Sequence, residues 1–137
     1  MKKMKIKNVL KMSFVLSKKK RQNHAQRCKH FTFIYKKNKL LSIGINSPKT
    51  NPTNLKYNYI NKDKNNISEI IGTHSEMNAI KKLKFQNYNE LIIINTRINL
   101  NNEIDYSKPC AGCLQMIKEL GFQKIYYTNK NSEFEIV

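Results

Sequence analysis

The 137-residue chain predicts a single α/β layered domain, and three observations carry that expectation. Short apolar stretches that read as strands interleave with two stretches of helical spacing in the order β-β-α-β-α-β. The run Leu91-Ile92-Ile93-Ile94 is continuously apolar, as expected of a central strand buried on both faces. The length suffices to bury a core without disulfide staples.

Residues 1–8 are basic and are expected to lack structure, which leaves 9–137 as the domain. From Val9 to His30, Leu10, Phe14, Val15, Ala25 and Cys28 fit a helix, interrupted by the polar run from Ser17 to Asn23. Phe31-Thr32-Phe33-Ile34-Tyr35 reads as a strand, Lys36-Lys37-Asn38 as a turn, and Lys39 to Ile45 as the returning strand of a hairpin. The polar segment from Lys49 to Asn66 is a long loop, placed to line the mouth of a site built on the next helix. Its Tyr57 and Tyr59 suit either base stacking or contact with the sheet.

A helix from His74 to about Lys84 sets Met77, Ile80 and Leu83 on one stripe. Residues 98–108 form a second polar loop. Cys110 to about Leu120 is a helix with Cys113, Ile117 and Leu120 along one side and Gly121 as its C-cap. Lys124 to Thr128 is a strand, and Ser132 to Val137 a short last one at an edge. The helical crossovers should join parallel strands.

Net charge is +17, and its placement is uneven. Residues 1–62 hold 17 Lys and Arg and no Asp or Glu, whereas residues 63–137 hold nine of each. One reading is a polyanion-facing surface, with nucleic acid met through residues 1–62 and Lys18-Lys19-Lys20-Arg21 at its centre. The other is compositional drift, since 23 Lys against 3 Arg beside 19 Asn is what an AT-rich coding sequence produces. No apolar stretch is long enough to span a membrane, and no small-residue cleavage site follows the early apolar pieces, so neither a membrane nor secretion is expected. Three cysteines suit a reducing, cytoplasmic compartment.

Two short runs carry chemistry: Thr73-His74-Ser75-Glu76 and, 33 positions on (109 minus 76), Pro109-Cys110-Ala111-Gly112-Cys113. Cysteines three apart on a helix share a face and can grip one ion. With His74 they make three soft or borderline donors, the count of a catalytic zinc with one open position, where a structural zinc closes with four. Such a zinc lowers the pKa of bound water to about 7. Glu76, two residues past the histidine, is then free to move protons. Thr73 suits the cap of a helix starting at His74, and Pro109 the first turn of the cysteine helix.

Each fragment has a plainer reading. Thr73-x-x-Glu76 also spells a capping box, and a lone C-x-x-C fits half of a structural zinc site or a redox pair. All four residues in order, with a proline in place, favour the catalytic zinc. A nonenzymatic nucleic-acid-binding domain would instead need a fourth ligand, for which His24, Cys28 and His30 are the candidates.

The H-x-E and P-C-x-x-C pair resembles the zinc-dependent cytidine deaminase-like superfamily, and the likeness covers about Phe31 to Thr128 in motif and element order. It implies a three-layer α/β/α fold with a central mixed sheet. It also implies Zn2+ held by His74, Cys110 and Cys113, with Glu76 as the proton shuttle. Asn46 stands where the family contacts the substrate's sugar or base, and the backbone of Ala111 would approach the substrate. Glu76-Met77-Asn78-Ala79-Ile80 resembles the deoxycytidylate deaminase branch chiefly through Asn78, which the likeness places with Asn46 and Ala111 among the substrate-binding residues and whose other reading is a solvent-facing helix residue. The activity implied is hydrolytic deamination of a cytosine nucleoside or nucleotide, deoxycytidylate first. A polynucleotide substrate, cytosine in single-stranded DNA or adenosine in tRNA, is the second enzymatic reading. Homo-oligomers are frequent in the superfamily and are an expected partner.

The sequence departs from the family at Ser75, where Ala is usual, at Lys108 before the proline, and in the length of 98–108. The C-terminal helices common in nucleotide-directed members are not expected after the last strand.

Overall fold

A computed structural model describes residues 3–19, 29–46, 74–83 and 87–137, with side chains of the first helix described over 7–18. The elements are α1 (Lys3–Lys19), β1 (Lys29–Lys36), β2 (Lys39–Ile45), α2 (Ser75–Lys81), β3 (Leu91–Ile98), α3 (Ala111–Leu120), β4 (Lys124–Thr128) and β5 (Phe134–Ile136). Among the described residues, no helix is long and apolar enough to cross a membrane.

The strands form one mixed sheet in the order β2-β1-β3-β4-β5. The β1–β2 hairpin turns at Lys37, whose φ of 55° is left-handed, and carries a bulge between Ile34 and Tyr35. β1 then pairs antiparallel along the whole of β3, from Lys29 opposite Ile98 to Lys36 opposite Leu91. β3 pairs parallel with β4, and β5 closes the edge antiparallel to β4. Both β2 and β3 run antiparallel to β1, so the two helical crossovers each join parallel strands, as expected.

The side-chain alternation of the central strands separates two cores. On one face Phe31, Phe33, Tyr35, Ile94, Ile98 and Tyr126 meet Val9 of α1. On the other, Ile34, Leu91, Ile93 and Ile125 meet Met77, Ala79 and Ile80 of α2 and Met116 and Ile117 of α3. The result is three layers, α1 over the sheet over α2 and α3. Phe31, Phe33, Ile34, Leu91, Ile93 and Ile94 are fully buried, each stabilising by about 2–3 kcal/mol on area grounds.

Several expectations change. α1 begins at Lys3, inside the stretch expected to lack structure, and ends at Lys19; residues 20–28 lie outside those described. Its inner stripe is Val9, Ser13 and Ser17, whereas Phe14 and Val15 are exposed. The serines let the helix lie close to the sheet, and Ser13 Oγ meets Thr96 Oγ1 of β3 at 2.6 Å while donating to the Val9 carbonyl. β3 runs four residues beyond its apolar core, because Asn95 and Thr96 find buried partners. The loop from Lys49 to Asn66, with Tyr57 and Tyr59, lies outside the described residues.

The loop after β3 is built from a repeated device. Asn99 Oδ1 accepts from the N–H groups of Asn101 and Glu103, and after β4 Asn129 Oδ1 accepts in the same way from Asn131 and Glu133. Asn102 and Ser132 take the matching left-handed positions, at φ 58° and 62°. Beyond the first of these turns, Ile104 bridges back to Ile98, and Ser107 reaches Thr128 at the end of β4. The chain is thereby delivered to Pro109 and Cys110 at the C-terminal ends of β3 and β4.

Candidate metal centre

α2 starts at Ser75, so His74 is its N-cap rather than its first residue, with extended backbone at φ −72° and ψ 157° and no side-chain cap bond. Glu76 therefore stands at the second helical position, one short of the place a capping box requires. Thr73 lies outside the described residues. The helix is held on β2 by Ser42 Oγ donating to the Ala79 carbonyl and by Lys82 Nζ donating to the Ile43 carbonyl. Gly44 makes the approach possible, since α2 crosses β2 where a side chain would stand.

Cys110 is likewise the N-cap of α3, with Pro109 just outside the helix and not in its first turn. The Cys110 sulfur accepts from the Cys113 N–H at 3.4 Å, doing for a thiolate what a capping hydroxyl does elsewhere. Gly121, at φ 88°, closes the helix by donating to the Ile117 and Lys118 carbonyls.

These two N-caps converge. His74 Nδ1 lies 3.2 Å from Cys113 Sγ and 3.3 Å from Cys110 Sγ, and the donor atoms of the three residues all lie within 4.8 Å of one another. Around tetrahedral zinc, with Zn–N about 2.0 Å and Zn–S about 2.3 Å, nitrogen and sulfur stand about 3.5 Å apart. The group is within a few tenths of an ångström of that spacing, so one imidazole and two thiols fit the ion. Nδ1, not Nε2, is the ring atom that faces the sulfurs. The Cys113 thiol and the His74 ring, together with the Cys113 N–H, bring the Cys110 thiol down to about 4, which favours the thiolate a metal binds.

Glu76 is buried beside this group. Burial, and then the Cys110 sulfur, push its carboxyl above the ordinary carboxylate range, opposed by His74 and by hydrogen bonds from its own N–H and from Asn95. Ser75 Oγ donates to Oε1 at 3.1 Å and Asn95 Nδ2 to Oε2 at 3.0 Å. Asn95, Thr32 and Ser107 were not singled out by the sequence reading. Their signal was a polar residue at an inward-facing strand position, or in a loop just before the cysteines.

The remaining expected residues are engaged in the framework around the cluster. Asn78 is buried, not solvent-facing, and its Nδ2 donates to the Ile45 carbonyl at the end of β2. Asn46 Oδ1 accepts from the His30 N–H at 3.1 Å. Ala111 opens α3 directly after Cys110. His30 does not join the three-donor group, which is the only such cluster among the described residues; His24 and Cys28 lie outside those residues.

No family model matches the chain, and no curated protein does. Among solved structures, the fold matches the crystal structure of a dCMP deaminase from the cyanophage S-TIM5 in apo form. The TM-score is 0.59 over 94% of this chain and 86% of that one, at 19% identity. The fold, three layers around a mixed sheet, is thus that of the matched structure. His74, Cys110 and Cys113 form a group that could hold one metal ion.

Proposed function

We propose that the protein is a zinc-dependent hydrolytic deaminase that converts cytosine to uracil in a nucleoside or nucleotide, with deoxycytidylate the first substrate. The observation that carries this reading is the juxtaposition of a three-donor group with a buried carboxyl that is not one of the donors. The dCMP deaminase matched in fold and the run Glu76-Met77-Asn78-Ala79-Ile80 support the choice of substrate.

His74, Cys110 and Cys113 would hold zinc, which when bound makes water a nucleophile at neutral pH. Glu76 takes a proton from the attacking water, delivers it to the ring nitrogen beside the amino-bearing carbon, and gives a second proton to the departing amine. One C–O bond forms, one C–N bond breaks, and one water is consumed for each ammonia released. The raised affinity of buried Glu76 for a proton suits a group that must both accept and return one near neutral pH. Asn46 and the Ala111 backbone are the proposed substrate contacts at the mouth, with Asn78 bracing the strand end that carries Asn46.

The test is ammonia release by zinc-loaded protein on deoxycytidylate, deoxycytidine, a cytosine-containing single-stranded oligonucleotide and a tRNA anticodon stem, with Glu76→Gln as the blank. Release from deoxycytidylate that falls by about 10²-fold or more in the variant supports the proposal. Release from a polymer alone replaces the substrate, and none from any of the four refutes the reading.

A further inference from the structure

Beneath the metal donors lies a buried polar ring. Asn95 of β3, Thr32 of β1, Ser75 and Glu76 of α2, and Ser107 of the loop before Cys110 are all at most 5% exposed. Asn95 Nδ2 faces Glu76 Oε2 at 3.0 Å and the Ser107 carbonyl at 3.3 Å. The Ser107 carbonyl can only accept, so the amide nitrogen is fixed on that side. Asn95 Oδ1 accepts from Thr32 Oγ1 at 2.7 Å, and Thr32 Oγ1 lies 2.8 Å from Ser75 Oγ. Ser107 returns the contact by donating from Oγ to the Asn95 carbonyl at 2.9 Å. The amide therefore has one orientation, with each polar end engaged.

The two N–H groups of Asn95 go to different halves of the site. One holds the carboxyl that belongs to the H-x-E run; the other holds the chain three residues before Cys110. We infer that Asn95 is a positioning residue, its amide orientation set by Thr32, which aims the Glu76 carboxyl and fixes it relative to the cysteine-bearing loop. This rests on the deaminase reading above for its catalytic consequence, though not for its geometry. A freely rotating carboxyl two residues from a metal donor would reach several atoms; one gripped at Oε1 by Ser75 and at Oε2 by Asn95 has one plane in which to exchange protons.

The experiment compares Asn95→Asp, Thr32→Val and Thr32→Ser in zinc-loaded protein, with bound zinc counted for each. Asn95→Asp replaces the donor facing Glu76 by an acceptor, and kcat is expected to fall about 10- to 100-fold with KM and zinc content little changed. Thr32→Val is expected to give a smaller loss that Thr32→Ser restores, since only the hydroxyl sets the amide. A second readout needs no turnover: Glu76→Gln, Asn95→Ala and the double variant are unfolded in urea. Coupling of Asn95 to Glu76 makes the two substitutions non-additive by about tenfold in the folding equilibrium constant.

Additive effects overturn the inference. So does wild-type kcat in Asn95→Asp, or a loss that follows lost zinc and that Thr32→Ser does not restore. A wild-type protein that releases no ammonia removes the deaminase reading and leaves the urea cycle to decide the positioning role.

Discussion

Gly44 in β2 lies so close to Ser75 at the start of α2 that a Cβ built on it would stand 2.2 Å from the Ser75 carbonyl oxygen and 2.4 Å from the Ala79 nitrogen. Both neighbours are backbone, so no side chain can turn aside. Gly44→Ala is therefore expected to push α2 off the sheet and to destabilise the fold by about 3 kcal/mol. Because α2 carries His74 and Glu76, zinc affinity should fall with it. Urea unfolding and metal titration of the variant check the two effects separately.

Zinc should stabilise the protein by mass action through its three donors. At a thousandfold excess of free zinc over the dissociation constant, the gain is about 4 kcal/mol in wild type. It should vanish in Cys113→Ala and Cys110→Ala, which leave two donors each. Thermal melting with and without zinc, followed by a chelator to reverse the shift, measures it.

His30 predicts a pH dependence. Burial first, then the positive charges of Arg97 and His74, bring its ring from 6.5 to about 4, with Asp105 opposing. The folded protein thus binds the proton less well than the unfolded chain, and unfolding takes up a proton between those values. Stability attributable to His30 is full above pH 6.5 and is lost as pH falls toward 4, by about 3 kcal/mol in all. His30→Gln should flatten the slope of unfolding free energy in that window relative to wild type, which unfolding in urea from pH 7 to pH 4 would record.

Ser13→Ala should loosen α1. The substitution removes the hydroxyl that meets Thr96 Oγ1 and leaves a fully buried Thr96 with one partner fewer, at a cost of about 1–3 kcal/mol. The double variant Ser13→Ala with Thr96→Val should recover part of the loss, since neither side then buries an unsatisfied hydroxyl. Paired melting curves decide it.

Much of the sheet was legible because its signals are local. Apolar runs and turn residues set β2 and β4 at the bounds expected, and Gly121 ended α3 where a left-handed residue was needed. The meeting of His74 with Cys110 and Cys113 was legible as well, from residue types that have one common use. What escaped depends on contacts between distant segments. Ser13 reads as a break in an apolar stripe until Thr96 is opposite it, and Phe14 and Val15 read as core until the helix is seen to turn them outward. Asn95 and Ser107 read as the polar end of a strand and a loop residue, because nothing local announces that Glu76 and Thr128 will cover them. Glu76 itself read as a capping residue or a catalyst; the helix starts one residue later than the spacing suggested, which removes the capping box.

The middle of the sheet also dictates when the donors can meet. Phe33 pairs with Ile94, 61 positions away (94 minus 33), and the whole β1–β3 ladder has this long-range character. Closing so large a loop is slow and must precede any reward from the contacts it brings. α2 and α3 are strung on either side of β3 and pack on the sheet that this ladder builds, so the donors are expected to settle after it has zipped. On that order, loss of their contacts should quicken unfolding while leaving the rate of folding nearly untouched.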